Sequence, residues 1–332
     1  MRIHSLAAFV VLGLVGCFGG NDDALVVYCS HDAVFSQQIL DDFTRETGIP
    51  VAARFDTEAT KSLGLINLIV RESKAPRCDV FWNNETLGTI DLAKRGLTEP
   101  YQGSGFKRIP SSFKDPDGLW CGFAARLRVW IVNTNQMKPS ADVVRSAFNL
   151  RIQDFTYAKP LYGTTLTHYC VLWSTLAPDV CQSIDHMLRE EATTAASNGQ
   201  TRDLVANGTC AFGWTDTDDY FGAVDSGKPV GMVPVRLAGG QTICIPNSVA
   251  IIKGTKRREA AESLVDYLLS REVELRLAKS ESRQIPLGDI GDAELPVEVA
   301  ELVPWAAKGI DLSEAAAVRT DVLTWLTETY TN

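Results

Sequence analysis

The chain has no excess of positive charge. Its 332 residues include 32 lysines and arginines against 41 aspartates and glutamates, which gives a formal net charge of -9 with histidine neutral. Protein surfaces that bind nucleic acids are normally basic, so this balance argues against a nucleic-acid partner. With 45% apolar and 22% charged residues, the composition is that of a soluble globular protein long enough to form two lobes with separate cores.

Motifs of several common chemistries are also missing. No CxxC spacing occurs, which disfavours a closed structural zinc site, and no GxxxxGK[ST] phosphate-binding loop is present. Neither GxSxG nor HExxH occurs, and the adjacent carboxylates have no second acidic group in a defined position for general acid–base work. We therefore predict that the protein binds a ligand and is not an enzyme, and that it has no catalytic cofactor.

The N-terminal apolar run, Leu6–Val15, is too short to span a membrane as a permanent helix. Arg2 precedes the run and the sequence LVGC ends it, a pattern typical of a bacterial export signal with a lipobox. We predict that residues 1–17 are a lipoprotein signal peptide with lipidation at Cys17, and that residues 18–24 are a polar tether. The alternative is an ordinary cleaved signal in which Cys17 has no role. The predicted location is the periplasm or cell envelope, with the lipid as membrane anchor.

The cysteines after the signal are odd in number. The chain has eight cysteines, and removing Cys17 leaves seven. An oxidising envelope allows some of them to pair, and an odd number leaves at least one thiol outside any intrachain disulfide.

From Leu25 onward, short apolar runs alternate with amphipathic segments. The run ALVVYCS predicts a strand, and AVFSQQILDDFTRETG predicts a helix that stops at its glycine. The pattern repeats with IPVAARF, KSLGLINLIVRESKA, CDVFWN and ETLGTIDLAKRG. Such alternation favours an α/β fold with a mainly parallel sheet. Ligands of these sheets bind beyond the carboxyl ends of the strands, which here carry Ser30-His31, Asp56-Thr57 and Asn84-Glu85.

A later strand is followed by a cluster of acidic residues. In GWTDTDDYFGAV, Asp216, Asp218 and Asp219 occupy the turn between an apolar run and a short amphipathic segment. One interpretation is that Asp216 caps a helix and Asp219 favours its dipole. The other is that the carboxylates bind a hard cation, since such ions prefer oxygen ligands. The calcium-loop pattern is not met, because Tyr220 and Phe221 replace a ligand and the glycine.

A second turn and one strand suggest a site for an anion. Gly163-Thr164-Thr165 opens a predicted helix after an apolar run, and a helix N-terminus offers free N–H groups to an anion. Arg126 and Arg128 alternate on one face of a predicted long strand and could bind phosphate or carboxylate. The alternatives are that the threonines only cap the helix and that one arginine pairs with a carboxylate of the protein.

Four stretches together carry a resemblance to a known family. These are VVYCSHDAVFSQQILDDFTRETGIPV, CDVFWNNETLGTIDLAKRGLTEPY, ARLRVWIVNT and NGTCAFGWTDTDDYFGAVDSGKPV. They resemble the ferric-ion class of bacterial solute-binding proteins, which are receptors of ABC importers. The resemblance implies a type II periplasmic binding protein fold, with two α/β lobes joined by crossover strands and the ligand between them. It places lobe I at residues 25–128 and 245–332, and lobe II at 129–244. It also implies an ABC permease and its ATPase as partners, and a monomeric receptor.

The resemblance also implies a site. Relatives that bind bare ferric ion use a histidine or similar group after the first strand, a glutamate after the third and two adjacent tyrosines from the second lobe. Here His31 follows the first strand, Glu85 lies one step beyond the usual glutamate position, and Asp218-Asp219 replace the tyrosine pair. We expect ferric iron, with or without a synergistic anion. The expected cation ligands are His31, Glu85, Asp216, Asp218 and Asp219. The expected anion-binding and other ligand-facing residues are Ser30, Asn84, Arg126, Arg128, Thr164, Thr165 and Tyr220.

Two alternatives for the ligand stay open. One is a small organic anion such as a phosphonate or sugar phosphate, whose hydroxyls or amine would donate hydrogen bonds to the aspartates. The other is zinc or copper, held by Cys29-Ser30-His31 facing His168-Tyr169-Cys170.

Overall fold

A computed structural model of the protein describes residues 23–56 and 63–331. The predicted signal peptide, Cys17 and most of the predicted tether lie outside the described residues, as does Thr57. Over the part that is described, no helix combines the length and apolar character needed to cross a membrane.

The predicted alternation of strands and helices is confirmed. The first apolar run is strand β1, and the amphipathic segment after it is helix α1, which ends at Gly48 in the left-handed conformation with φ of 74°. The strands are β1 (Leu25–Cys29), β2 (Val51–Phe55), β3 (Val80–Asn83), β4 (Thr98–Glu99), β5 (Cys121–Asn133), β6 (Phe155–Ala158), β7 (Thr193–Ala195), β8 (Phe212–Asp216), β9 (Val230–Pro234) and β10 (Cys244–Ile252).

Helices cover both faces of the strands. They are α1 (Ala33–Thr47), α2 (Leu63–Arg71), α3 (Leu87–Lys94), α4 (Ser104–Arg108), α5 (Ala141–Leu150), α6 (Gly163–Leu176), α7 (Pro178–Glu191), α8 (Asn198–Ala206), α9 (Thr217–Asp225), α10 (Arg258–Leu268), α11 (Arg271–Lys279), α12 (Val297–Ala300), α13 (Val303–Ala306) and α14 (Ser313–Thr331).

The strands follow the order β2-β1-β3-β10-β5-β8-β6-β7, with β4 beside β10 and β9 beside β5. The pairs at the two ends are parallel: β1 with β2 and β3, and β6 with β7 and β8. The prediction of a mainly parallel sheet is nevertheless wrong, because the long strands between the two ends pair antiparallel with their neighbours. The pairs in the middle are antiparallel, because β10 runs against β3 and β5, and β5 runs against β8 and β9. The long strand β5 therefore belongs to both halves of the sheet.

Two large apolar clusters form the core. One is built from β1, β3, α1, α10 and α11, around residues such as Phe43 and Trp82. The other is built from β6, β8, α6, α7 and α14, around residues such as Phe155 and Phe212. Helix α14 packs against α6 and α3, where Arg319 lies 3.6 Å from Asp91.

A β-bulge interrupts the pairing of β5 with β10. Ala125 pairs with Pro246 and Phe123 pairs with Asn247, so Ala124 is the extra residue between them. Ala124 is fully buried and has a φ of 42°, in the left-handed region that residues with a Cβ rarely adopt. The bulge lies just before Arg126 and Arg128 in the same strand.

The seven cysteines of the described residues are buried and form no disulfide. Burial raises the pKa of the Cys181 and Cys244 thiols to about 12. Burial also raises the pKa of the Cys78, Cys121, Cys170 and Cys210 thiols. Because the thiolate is the reactive form, these side chains are inert parts of the core.

Candidate ligand-binding site

A polar cavity of about 890 Å³ lies beside β5. The N-terminal ends of α6, α8 and α9 open onto it, and each helix end carries a partial positive charge. Asp32 and Asn84, which lie just before α1 and α3, line the opposite side. Cationic side chains also line the cavity: Arg126, Lys159 and Arg202.

The predicted acidic cluster lines this cavity. Oxygen atoms of Asp216, Asp218 and Asp219 all lie within 4.8 Å of one another. Asp216 is the N-cap residue of α9, yet its side chain makes no capping hydrogen bond to the helix. Capping therefore does not explain why its carboxylate is there.

Asp216 is compensated by a buried arginine. Arg128 is fully buried, and its Nη1 donates to Asp216 Oδ1 at 2.8 Å. The other oxygen, Oδ2, accepts from Thr164 Oγ1 at 2.5 Å and from Asn198 Nδ2 at 3.0 Å. This network joins the ends of α6, α8 and β8, and it links three side chains that line the cavity.

Burial keeps the nearby His168 neutral, and the charge of Arg128 acts in the same direction. Arg128 Nε donates to His168 Nδ1 at 3.4 Å. Burial, with the Arg128 charge as the next cause, holds the pKa of His168 well below its usual value. The His168 ring also packs 4.6 Å from the Trp214 ring, so this histidine is part of the core.

Arg126 connects the two sides of the cavity. Its Nη1 donates to the Asn84 carbonyl oxygen at 2.6 Å, and its Nε lies 3.2 Å from Asp218 Oδ2. The predicted common face of Arg126 and Arg128 is thus observed, and both arginines pair with carboxylates of the cluster.

Asp219 carries the least compensated charge of the three. Its Oδ2 accepts from Thr215 Oγ1 at 2.8 Å, and the nearest guanidinium nitrogen of Arg202 is 4.0 Å away. Burial, followed by the charges of Asp218 and Asp216, raises the pKa of Asp219 to about 7. A bound cation would relieve that repulsion.

Other predicted site residues lie away from the residues that line the cavity. His31 is buried, with Nε2 2.7 Å from Gln284 Nε2, and its ring stacks on Trp82 at 5.2 Å. Glu85 instead holds the first turn of α3, because its carboxylate accepts from the backbone N–H groups of Leu87 and Gly88 at 2.6 and 2.8 Å.

Three further predicted residues, Ser30, Arg128 and Tyr220, also lie outside that lining. The Ser30 backbone N–H donates to the Trp82 carbonyl oxygen at 2.9 Å. Tyr220 packs 5.2 Å from the Phe221 ring, and burial raises the pKa of its hydroxyl. By contrast, the predicted Asn84, Arg126, Thr164 and Thr165 line the cavity. The ligand roles of all these residues remain predictions.

Sequence reasoning missed several lining residues. Asp32, Lys159, Tyr162, Asn198 and Arg202 line the cavity. For Asn198 the sequence did contain a signal, because the serine before it is a favoured N-cap residue. The Ser197 side chain accepts from the Gln200 N–H, and α8 begins at Asn198. Only the three-dimensional arrangement brings α8 to the same edge as α6.

The two Cys/His motifs do not form a metal site. Within residues 23–56 and 63–331, the acidic cluster is the one group of three or more Asp, Glu, His and Cys residues with ligand atoms close enough to share an ion. The hypothesis of a zinc or copper site built from those motifs is therefore wrong.

Comparisons with known proteins agree with this architecture. No family model matches the sequence. A curated relative, the Fe(3+)-binding periplasmic protein of Serratia marcescens, is 28% identical over 158 residues, and the match spans 45% of each chain, less than half of the relative's length. The crystal structure of apo ferric ion-binding protein A from Pasteurella haemolytica superposes with a TM-score of 0.79 at 16% identity, covering 92% of this chain and 97% of that one.

The chain has the fold of the periplasmic ferric-ion-binding proteins. The resemblance found in the sequence and the type II binding-protein fold that it implied are both confirmed. A protein of the same fold has been solved with a different ligand bound. This is the periplasmic binding protein AfuA of Actinobacillus pleuropneumoniae with fructose-6-phosphate bound, with a TM-score of 0.76 at 18% identity, covering 92% of this chain and 98% of that one.

Proposed function

We propose that the protein is the extracytoplasmic receptor of an ABC importer and that it captures a ferric ion in the cavity beside β5. The observation that carries the proposal is the acidic cluster. Asp216, Asp218 and Asp219 place oxygen atoms within 4.8 Å of one another on the cavity wall. The name of the Serratia marcescens relative adds support, since it describes a protein that binds the same ion.

The charges of the cluster favour a hard cation. Ferric iron prefers anionic oxygen ligands. Burial, with the charges of Asp218 and Asp216 as the next causes, raises the pKa of Asp219 to about 7. An ion of charge +3 would replace the proton of Asp219 and draw the carboxylates together. His31 and Glu85 are the further ligands proposed from the first lobe, and they would have to leave their present contacts to reach the ion.

An anion would complete the charge balance. Thr164 and Thr165 lie at the N-terminal end of α6, where free N–H groups and the helix dipole favour negative charge. Arg126 and Lys159 line the same cavity. We propose that the ferric ion enters with an anion bound at this end.

A small organic anion is the second candidate ligand. The specific observation in its favour is the size of the cavity, about 890 Å³, which is within the usual range for small-molecule sites. Lys159, Arg126 and Arg202 supply positive charge, and the aspartates would accept hydrogen bonds from ligand hydroxyls. The fructose-6-phosphate complex on the same fold supports this candidate less directly than the ferric relative supports the first.

The proposed transport role follows the two-lobed architecture. We assign lobe I to residues 25–128 and 245–332, and lobe II to 129–244, with helix α14 of the C-terminal segment packed mainly against α6 of lobe II. A ligand that contacts both lobes only when they are closed shifts the population towards the closed form, which an ABC permease with its ATPase would recognise. We further propose a monomeric lipoprotein without enzymatic activity, exported by residues 1–17 and anchored through Cys17 in the periplasm or cell envelope.

Calorimetric titration of the demetallated protein tests these proposals. Ferric citrate, zinc, phosphate and fructose-6-phosphate are titrated separately into protein expressed without residues 1–22. Binding of ferric citrate with an affinity at least tenfold above that of zinc supports the ferric receptor. Binding of fructose-6-phosphate without any ferric binding would overturn it in favour of the organic anion.

A further inference from the structure

Three consecutive residues contact three separate parts of the binding apparatus. We propose that Arg283, Gln284 and Ile285 form a strap that positions both walls of the cavity, so that Arg283 controls ligand capture from outside the cavity. The strap lies between α11 and α12, and none of its residues lines the cavity.

Ile285 holds the strap to the bulged strand. It exchanges two backbone hydrogen bonds with Ala125, at 2.8 and 2.7 Å. Beside them, Glu274 Oε1 accepts from the Ala124 N–H at 2.8 Å, and Asn247 Nδ2 donates to the Ala124 carbonyl oxygen at 2.5 Å. Two buried polar side chains thus replace the ladder bonds lost at the bulge.

Gln284 links the bulge to the first wall. Its Oε1 accepts from Asn247 Nδ2 at 2.7 Å, and its Nε2 lies 2.7 Å from His31 Nε2. The residue after His31 is Asp32, which lines the cavity. A shift of the bulge is therefore transmitted to the edge of the first wall through one buried amide.

Arg283 holds the helix that carries the acidic cluster. Its two terminal nitrogens donate to the two oxygens of Asp225 at 2.6 and 2.8 Å, and its guanidinium lies 5.1 Å above the Phe221 ring. Asp225 is the last residue of α9, whose first turn contains Asp218 and Asp219. One guanidinium therefore fixes the far end of a short helix whose near end binds the ligand.

The backbone of Arg283 shows that this position is constrained. Its φ is 42°, a conformation that costs free energy for a side chain with a Cβ. Its Nε also donates to Glu298 at 2.8 Å, and its hydrogen bonds to Asp225 hold the pKa of that carboxyl below its usual value. The pair is thus ionised at neutral pH, and several contacts hold the strained residue in place.

Arg283→Gln tests the strap, with Arg258→Gln as its matched control. Arg258 also pairs with two carboxylates, Glu99 and Glu262, and it is also partly buried, but its partners are not among the residues that line the cavity. Asp225→Asn removes the same strap contact from the other side. The ligand-free variants are compared by amide hydrogen exchange, and their affinity for ferric citrate is measured by calorimetry.

We expect Arg283→Gln and Asp225→Asn to weaken ferric citrate binding about fivefold and to speed hydrogen exchange in α9 and around Ala124. Arg258→Gln should leave both unchanged. If all three variants have the same hydrogen-exchange rates and the same affinity for ferric citrate, the proposed role of the strap is wrong.

The prediction for ferric citrate affinity rests on the proposed function, whereas the prediction for amide hydrogen exchange does not. If wild-type protein fails to bind ferric citrate, the proposed function fails alone. Faster exchange confined to α9 and the bulge in Arg283→Gln still supports the strap in that case, and unchanged exchange refutes it.

Discussion

At the scale of single residues, Asp218 is the most informative position. It faces the cavity, and Arg126 lies 3.2 Å from its Oδ2. We expect Asp218→Asn to weaken ferric binding by about 2 kcal/mol, which is roughly thirtyfold in Kd, because an amide is a poor ligand for a hard cation. Calorimetry with ferric citrate measures the effect.

The control for Asp218→Asn is Asp203→Asn. Asp203 also lines the cavity, but it is exposed, pairs with Arg202 and lies outside the acidic cluster. Its replacement should change ferric affinity less than about threefold, since exposed ion pairs contribute little. If both variants bind as well as the wild type, the cluster does not hold the ion.

The raised pKa of Asp219 predicts how the stability of the ligand-free protein depends on pH. Its folded-state pKa is raised from 3.8 to about 7, mainly by burial. Between these values the folded protein keeps a proton that the unfolded chain has lost, so the contribution of Asp219 to the unfolding free energy falls as pH rises from 3.8 to 7. Urea unfolding at several pH values measures this slope.

Asp219→Asn supplies the comparison for that experiment. The amide does not titrate, so the variant should gain stability relative to the wild type as pH rises towards 7. A difference between the two proteins that stays constant from pH 4 to pH 8 would show that Asp219 titrates normally.

At the scale of elements, the strain at the bulge of β5 can be tested by a substitution at Ala124, with the same substitution at Ala125 as the control. Ala124 has a φ of 42°, whereas Ala125 pairs regularly with Pro246, and both are fully buried. Either change to glycine loses one buried methyl group, but only Ala124→Gly also relieves the left-handed conformation. We expect Ala124→Gly to be more stable than Ala125→Gly by about 1.5 kcal/mol, measured by urea unfolding. Equal stabilities would mean that Ala124 is not strained.

Local patterns predicted the elements well because each depends on nearby residues. Strand β1, the helix after it and the end of that helix at Gly48 follow from apolar spacing and backbone freedom. Glu85 shows the limit of such reasoning. Its place after β3 was predictable. Sequence spacing does not decide whether its carboxylate faces a ligand or accepts hydrogen bonds from the first N–H groups of α3, as it does in the structure.

The site was only partly predictable, because long-range contacts decide its charge. The sequence indicated the acidic cluster and placed Arg126 and Arg128 on one face. It could not indicate that Arg128 would be fully buried against Asp216, which lies 88 positions away. Nor could it place Lys159 or the end of α8 at the same cavity, because that depends on how β6 and β8 pair.

At the scale of the whole molecule, stability should not depend on disulfides. The seven cysteines of the described residues form no disulfide, although the export proposed for this protein would bring it into an oxidising environment. We expect Tm to change by less than about 1 °C on addition of dithiothreitol, whereas loss of a native disulfide would lower it by several degrees. Differential scanning fluorimetry with and without reductant checks this, and thiol counts in denaturant serve as control.

The seven buried cysteines and the position of α14 together make the protein suitable for conversion into an optical biosensor. Lys159 lines the cavity and its Nζ donates to the Tyr330 carbonyl oxygen at 2.9 Å, so the last turn of α14 contacts a residue of the proposed ligand site. In protein expressed without residues 1–22, Thr327→Cys would supply one accessible thiol among seven buried ones. A fluorophore would couple selectively to that thiol, and we expect its emission to change when the proposed ligand binds.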